Sequence, residues 1–434
     1  MKRTILLSIL FIFSSMLYGQ YKEDAYRLSY LGLGFGARSL AMGTAYTAIA
    51  NDFSAVYWNP AGLGQVKRNE ISLGLSHYLY KDENTFLGEN SSFSNSKTNL
   101  NSLGLVYPFP VQKGSMVFAI GYGRQVDHAT SLAINAFNIK TTTANYPDNV
   151  DIRTNVLENG GLNNWMVAGA IEAARGLYLG VSINVISGSY TYNRDYTGSD
   201  INNNYYFYEI NRLYTIQEDI SGFTGRLGLL YETKNKKGRF GINVKLPSTL
   251  SMRDDWADTE NYYDDIPDSD YVAKDVGYSE FDLTTPFVFS VGASWTFGDL
   301  LISGDVDYTD WTQMEFKNTY ADLLQENTII KETMEPTVNL RVGAEYEIPL
   351  SDVAVRAGFA YLPSPYSFHT SDNAQKYITA GLGWTIENSV RLDFGYAYGF
   401  WNASQQVNFD PPFYTDTNEK VKTHNLIATM VYRF

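Results

Sequence analysis

Val390, Leu392, Phe394, Tyr396, Tyr398 and Phe400 are all large and apolar or aromatic, while Arg391, Asp393, Gly395, Ala397 and Gly399 between them are small or charged. A period of two built from these classes describes a strand with one face suited to lipid and the other to a polar lumen. The chain ends in the same manner, with Leu426, Ala428, Met430, Tyr432 and Phe434 on one face and Thr429 and Arg433 on the other. Upstream, Phe240, Ile242, Val244 and Leu246 alternate with Gly241, Asn243 and Lys245, and Val353, Val355, Ala357, Phe359 and Tyr361 alternate with Ala354, Arg356, Gly358 and Ala360.

From Asn69 onward the pattern gives fourteen candidate strands, at about 69–80, 98–108, 114–126, 162–174, 176–190, 218–232, 237–246, 284–297, 299–311, 336–348, 352–361, 375–387, 389–400 and 423–434. Most are long enough for a tilted membrane crossing, which takes roughly 9 to 11 residues. Short turns, such as Pro108-Phe-Pro110, Ala174-Arg-Gly176, Gly298-Asp299 and Glu387-Asn-Ser389, alternate with long connections at about 81–97, 127–161, 191–217, 247–283, 312–335, 362–374 and 401–422. An even-stranded barrel with short periplasmic turns and long outer loops has this asymmetry. A soluble sandwich would also show one apolar face. The barrel is favoured by charge on the small-residue face: Arg226, Lys245, Asp305, Asp307, Arg341, Glu345, Arg356, Arg391 and Asp393.

Composition narrows the picture further. Gly 35, Tyr 34 and Phe 24 are high and Pro 13 is low, as expected for strands mixing small and aromatic residues. With no cysteine, disulfide scaffolds and thiolate chemistry are excluded. Lys2 and Arg3 before the apolar run Ile5–Phe13, then Ser14, Ser15 and Gly19, read as a signal peptide over 1–20. Its removal takes the net charge from -14 to -16, which excludes nucleic acid as a partner.

Between leader and strands lies Gly32-Leu-Gly-Phe-Gly36, then a small-residue stretch to Ala50. Asp52 is placed to cap a short helix over Phe53–Tyr57, which Asn59-Pro60 would stop. The segment is compact, amphipathic and unlike the strands, as an element inside a barrel would be. Gly36-Ala-Arg-Ser-Leu-Ala-Met-Gly-Thr-Ala-Tyr-Thr-Ala-Ile-Ala-Asn-Asp-Phe-Ser-Ala-Val-Tyr-Trp-Asn-Pro-Ala-Gly-Leu63 resembles the N-terminal plug signature of the FadL/TodX family of outer-membrane transport proteins. Asp307-Tyr-Thr-Asp-Trp311, Arg356-Ala-Gly-Phe-Ala-Tyr361 with Pro363 and Pro365, Gly381-Leu-Gly383 and Asp393-Phe-Gly-Tyr-Ala-Tyr398 follow the same family's order.

The resemblance implies a 14-stranded antiparallel transmembrane β-barrel with an N-terminal hatch (plug) inside the lumen: hatch 21–64, barrel 65–434. It further implies passive uptake, in a Gram-negative outer membrane, of small hydrophobic molecules such as long-chain fatty acids or aromatic hydrocarbons, with lateral exit beside a kinked third strand. Asn59, Pro60 and Ala61 form the hatch motif; Phe35, Leu40, Met42, Phe53, Tyr57, Trp58 and Leu63 are candidates for hatch packing or the ligand path. Gly121 and Gly123 are candidates for the third-strand kink. Tyr205, Tyr206, Phe207, Tyr208 and Tyr214 make an aromatic outer segment, either a capture surface or strand extensions above the membrane.

Segment 247–283 is rich in Asp and Glu but has no EF-hand spacing, and reads as a solvated loop with no metal site. His77, His128, His369 and His424 are scattered and no catalytic motif appears, so no enzyme and no cofactor are expected. Expected partners are hydrophobic small molecules and outer-membrane lipid, including lipopolysaccharide, around a monomeric barrel. A second reading stays open, in which the barrel is a scaffold or shuttle for protein secretion or surface attachment.

Overall fold

The computed structural model describes residues 22–137, 150–203, 206–266, 269–404, 406–410 and 413–434. The signal-peptide segment, Tyr205 and Asp268 lie outside the described residues. Among the described residues, besides short strands at Glu315–Lys317, Gln406–Asp410 and Phe413–Asp416, fourteen wall strands follow an N-terminal helical segment. They are β1 (Glu70–Phe86), β2 (Glu89–Phe109), β3 (Met116–Asp127, continued as Thr130–Phe137), β4 (Asp151–Ala174), β5 (Leu177–Ser199), β6 (Phe207–Glu232) and β7 (Gly238–Lys245, continued as Thr249–Asp264). The second half comprises β8 (Tyr271–Thr284, continued as Val288–Phe297), β9 (Leu300–Thr309), β10 (Thr337–Glu347), β11 (Val353–Leu362), β12 (Gln375–Ile386), β13 (Val390–Ala403) and β14 (Asn418–Arg433).

Neighbouring strands pair antiparallel, and β1 pairs with β14 from Glu70↔Arg433 to Thr85↔Asn418, so the sheet closes. Closure gives each spanning strand two neighbours, which hydrocarbon requires of backbone polar groups. At the foot of this seam Arg433 Nε donates to Glu70 Oε1 at 2.8 Å.

The burial pattern is that of a soluble protein turned inside out. Along β1, Glu70, Ser72 and Ser76 are buried while Ile71 and Leu75 are 45% and 53% exposed. Arg226, Lys245, Asp305, Asp307, Arg341, Glu345, Arg356 and Asp393 are all buried. The lumen is therefore the polar side and the outer surface the apolar one, as lipid demands.

Many of the segments expected as outer loops are instead strand. β1 and β2 run on to a two-residue turn at Leu87-Gly88, and β4, β5, β6, β7 and β8 extend well beyond the expected spans. Above the bilayer both faces of a strand are wet, so the apolar alternation that marks a crossing fades although the backbone ladder continues. Outside the wall, helix α4 (Ala321–Thr333) covers the outer end of the lumen by burying Leu323 and Ile330 with Trp311, Met314 and Phe316.

Candidate functional site

Residues 22–65 enter the barrel as α1 (Lys22–Ser29), α2 (Ala37–Ala41), α3 (Ala55–Trp58) and a 3₁₀ turn over Pro60–Gln65. Helix α3 starts two residues later than expected: Asp52 Oδ1 accepts the Ser54 N–H at 3.0 Å, and the helix begins at Ala55. It stops at Trp58, and Asn59 Oδ1 caps the next turn through the Ala61 N–H at 3.1 Å. Asn59 Nδ2 also donates to Thr47 O at 2.8 Å within the hatch and to Leu229 O of β6 at 3.1 Å. One amide thus holds the hatch loop, the following turn and the wall.

The wall meets the hatch through inward-facing glycines. A Cβ on Gly358 of β11 would lie 2.3 Å from Gly43 N, one on Gly241 of β7 2.3 Å from Thr47 O, and one on Gly180 of β5 2.3 Å from Ala61 N. These distances are below any real contact, so the hatch backbone touches the wall where side chains are missing. Gly121 and Gly123 belong to the same set: Cβ atoms there would fall 2.4 Å from the rings of Phe53 and Phe35 respectively. Phe35, Met42, Phe53, Tyr57, Trp58 and Leu63 share one buried cluster, and Leu40 packs separately with Ala360, Leu362 and Tyr377.

A charged clamp fixes the other side. Arg38 donates bidentately to Glu345 of β10, Nε–Oε2 2.8 Å and Nη2–Oε1 2.6 Å. Glu345 also accepts from Arg356 Nε at 2.5 Å, Arg356 pairs with Asp393 at 2.8 Å, and Asp393 with Arg391 at 2.9 Å. Arg38 Nη1 reaches Asn51 Oδ1 at 2.7 Å, and Tyr46 donates its hydroxyl to Asp52 at 2.9 Å. Burial pushes the Asp52 carboxyl up, but Arg38, the Ser54 hydroxyl, Arg391 and Tyr46 outweigh it and leave it below the usual carboxylate range. Sequence reasoning placed the wall charges inside but overlooked Arg38. Its only signal was a lone cation in a run of small residues.

Beside the hatch the wall carries a slot. β2 pairs with β3 only from Phe109↔Met116 to Ser102↔Gly123, whereas β2 pairs with β1 up to Glu89. β3 stays on β4, through a bulge between Arg124 and Val126, to Asp127↔Gly161, then resumes at Thr130↔Glu158. Among the described residues, the upper half of β2 therefore has a backbone ladder on one side. Side chains span the gap: Asn99 Nδ2 donates to Asp127 Oδ1 at 2.7 Å, and Asn95 Nδ2 to Glu158 O at 2.8 Å. Arg124 holds Asp127 at 2.5 Å and Gly160 O at 2.8 Å.

The hatch lines this slot. The Gly36 N–H donates to Asn101 Oδ1 at 3.1 Å and Gln125 Nε2 to Tyr30 O at 3.4 Å, while Tyr57 holds Leu31 O at 2.9 Å. Gly32, Gly34 and Gly36 have φ of 59°, 61° and 100°, a run of left-handed residues that only glycine adopts without strain. A cavity between Phe35, Arg38, Phe53, Ser102 and Asp393 holds about 20 Å³, room for one water and not for a hydrocarbon.

Above the hatch, α1 lies in an apolar upper lumen with Leu162, Ile186, Ile220, Phe281 and Trp311. The Arg27 guanidinium sits 3.6 Å over the Tyr190 ring and pairs with Asp24 and Glu218, each at 3.1 Å. In the predicted aromatic segment, Tyr206 and Tyr208 are 43% and 49% exposed, Phe207 packs against the Phe86, Leu132 and Ile134 cluster, and Tyr214 lies 6.1 Å from Tyr192. Phe207, Tyr208 and Tyr214 belong to the outer part of β6, and Tyr206 precedes it. Among the described residues no cluster of His, Asp or Glu is arranged to hold a metal.

Comparison with known proteins places this architecture. The chain is 23% identical over 415 residues to Alkane uptake protein A of Marinobacter nauticus, spanning 85% of this chain and 83% of the relative. A FadL homologue of Pseudomonas aeruginosa superposes with a TM-score of 0.62 at 13% identity, covering 94% of this chain and 100% of that one. The toluene transporter TodX of P. putida does so with a TM-score of 0.61 at 14% identity, covering 93% and 99%. A family model for outer membrane protein transport proteins (OMPP1/FadL/TodX) matches residues 35–434, and the chain belongs to that family of non-enzymatic outer-membrane transport barrels.

Proposed function

We propose that this barrel takes up small neutral hydrocarbons, of the alkane or monoaromatic class, and releases them sideways into the membrane through the β2–β3 slot. The observation that carries the reading is the end of the β2–β3 ladder at Ser102↔Gly123, level with the two hatch rings that face Gly121 and Gly123. A hydrocarbon gains nothing from a watery pore, because its free energy is lowest in apolar surroundings. A lateral slot lets it pass from the apolar upper lumen to lipid without crossing water. The gate is residues 30–36, whose glycines allow backbone rotation and whose contacts with Asn101, Gln125 and Tyr57 are single hydrogen bonds.

Charge in the upper lumen argues for neutral cargo. The Arg27 guanidinium there is already paired with Asp24 and Glu218, so it offers no spare countercharge to an ionised fatty acid. The name of the Marinobacter nauticus relative, an alkane uptake protein, points the same way. The test is uptake of labelled alkanes, monoaromatics and long-chain fatty acids into proteoliposomes carrying the intact barrel. Hydrocarbon uptake well above empty vesicles, with fatty acid uptake lagging at neutral pH, is expected. No uptake of any class by correctly folded protein overturns the transport reading.

A further inference from the structure

Strand register aligns outward-facing residues of β12, β13, β14 and β1 into level rows. One row reads Lys376–Phe400–Lys422–Lys81, each opposite the next across a strand pair. The row beneath is Ile378–Tyr398–His424–Leu79, then come Ala380–Tyr396–Leu426–His77 and Leu382–Phe394–Ala428–Leu75. Three lysines thus top a wall of mixed aromatic and aliphatic residues.

The height matches a membrane boundary. Lys81 and Lys422 lie ten residues from the basal pair Ile71↔Tyr432, roughly 24 Å along the normal for strands tilted about 45°. The apolar band of such barrels is about 25 Å tall. The lysine row therefore stands at the head groups of the outer leaflet.

Below it the wall is hollowed. Ala380 and Ala428 leave a groove of about 640 Å³ bordered by Leu75, Leu382, Phe394 and Leu426. Above it one carboxylate serves two ammonium groups: Glu83 accepts from Lys81 at 2.7 Å and Lys422 at 2.9 Å, and Lys420 faces Glu83 in the next row. Lys376 is held by Ser371 O at 2.9 Å. Four lysines against Glu83 and Asp372 leave a net positive patch on a chain of net charge -14. Half a turn round the barrel the outer rim is acidic, with Asp219, Asp255, Glu280 and Asp282 around Arg253.

We propose that this seam binds one molecule of lipopolysaccharide, its phosphates on Lys376, Lys422 and Lys81 and an acyl chain in the groove over Ala380 and Ala428. The lysine row spans three strand spacings, about 14 Å, wide enough for a disaccharide head group with a phosphate at each end. The charge selects a phosphorylated head group, and the groove directly beneath selects a lipid that carries acyl chains under it. The assignment rests on the outer-membrane location of the family and is independent of what the barrel transports.

The experiment is native mass spectrometry of the full barrel in detergent, titrated with deep-rough lipopolysaccharide, the same lipid stripped of phosphate, and phosphatidylglycerol. One intact lipopolysaccharide is expected to bind well ahead of the other two. Lys81→Gln, Lys376→Gln and Lys422→Gln combined should weaken it on the order of 100-fold, from about 5-fold per lysine at a membrane surface. Ala428→Leu fills the groove with every lysine in place and should also weaken it, whereas Lys113→Gln with Lys234→Gln, on exposed periplasmic turns, should not. All these side chains face outward or lie in turns, and heat-modifiable gel mobility verifies folding of each variant. Equal binding of phosphate-free lipid or phosphatidylglycerol, or a triple variant that binds as the parent does, overturns the assignment.

Discussion

Arg38→Met tests whether the hatch is held by its charge clamp or merely by filling the lumen. Methionine keeps an apolar stem and removes the guanidinium, so the two Glu345 contacts at 2.8 and 2.6 Å and the Asn51 contact at 2.7 Å are lost together. Removing one partner of a buried ion pair costs roughly 3–5 kcal/mol. Glu345 keeps Arg356 at 2.5 Å, which places this case at the low end, about 3 kcal/mol. That corresponds to a factor of roughly 150 in the population of undocked hatch. Hydrogen exchange in the reconstituted protein should show amides of residues 37–54 exchanging about 100-fold faster, on the order of the change in local opening. Amides of the outer β6–β7 ladder, from Glu209↔Tyr263 to Leu213↔Thr259, should be unchanged. Unaltered hatch exchange, or equal acceleration in hatch and wall, would refute the reasoning.

Three further outcomes follow from the same geometry. Asn59→Ala removes three hydrogen bonds and leaves buried carbonyls of Thr47 and Leu229 short of a donor. Protease access to residues 47–62 should rise by an amount equivalent to roughly 2–4 kcal/mol of docking. Gly358→Val puts a branched side chain where even a Cβ lies 2.3 Å from the hatch backbone; the barrel should still assemble, with the hatch displaced and made cleavable by protease, at a cost of about 1–3 kcal/mol or more. Asp52 titrates below the usual range, so its contribution is present above about pH 3.9 and is lost as pH falls through its lowered value. Hatch protection should drop below about pH 4, and Asp52→Asn should shrink that acid step.

The crossings were legible in the sequence because a bilayer imposes its own alternation: every expected strand, from 69–80 to 423–434, overlaps an observed one. The strand continuations Thr130–Phe137 and Thr249–Asp264 were not legible, because above the bilayer neither face needs to be apolar. The helix stop at Asn59-Pro60 could be read locally, since capping involves near neighbours. The partners of Gly121, Gly123 and Arg38 could not, since Phe53, Phe35 and Glu345 are brought to them only by closure of the barrel around the hatch. The place of the slot came only from the family resemblance, with its exit beside the third strand: a missing ladder between β2 and β3 leaves no mark on the composition of either strand.

The lateral route is tested most directly by bridging the slot. The chain has no cysteine, so Asn99→Cys with Asp127→Cys, whose native side chains meet at 2.7 Å, can be joined by a short bis-methanethiosulfonate linker and released with reductant. Uptake of labelled alkane into proteoliposomes should fall to the level of empty vesicles when the bridge forms, recover when it is reduced, and persist in each single-cysteine variant treated alike. Uptake that continues at the unbridged rate with the β2–β3 gap tied shut would contradict lateral release.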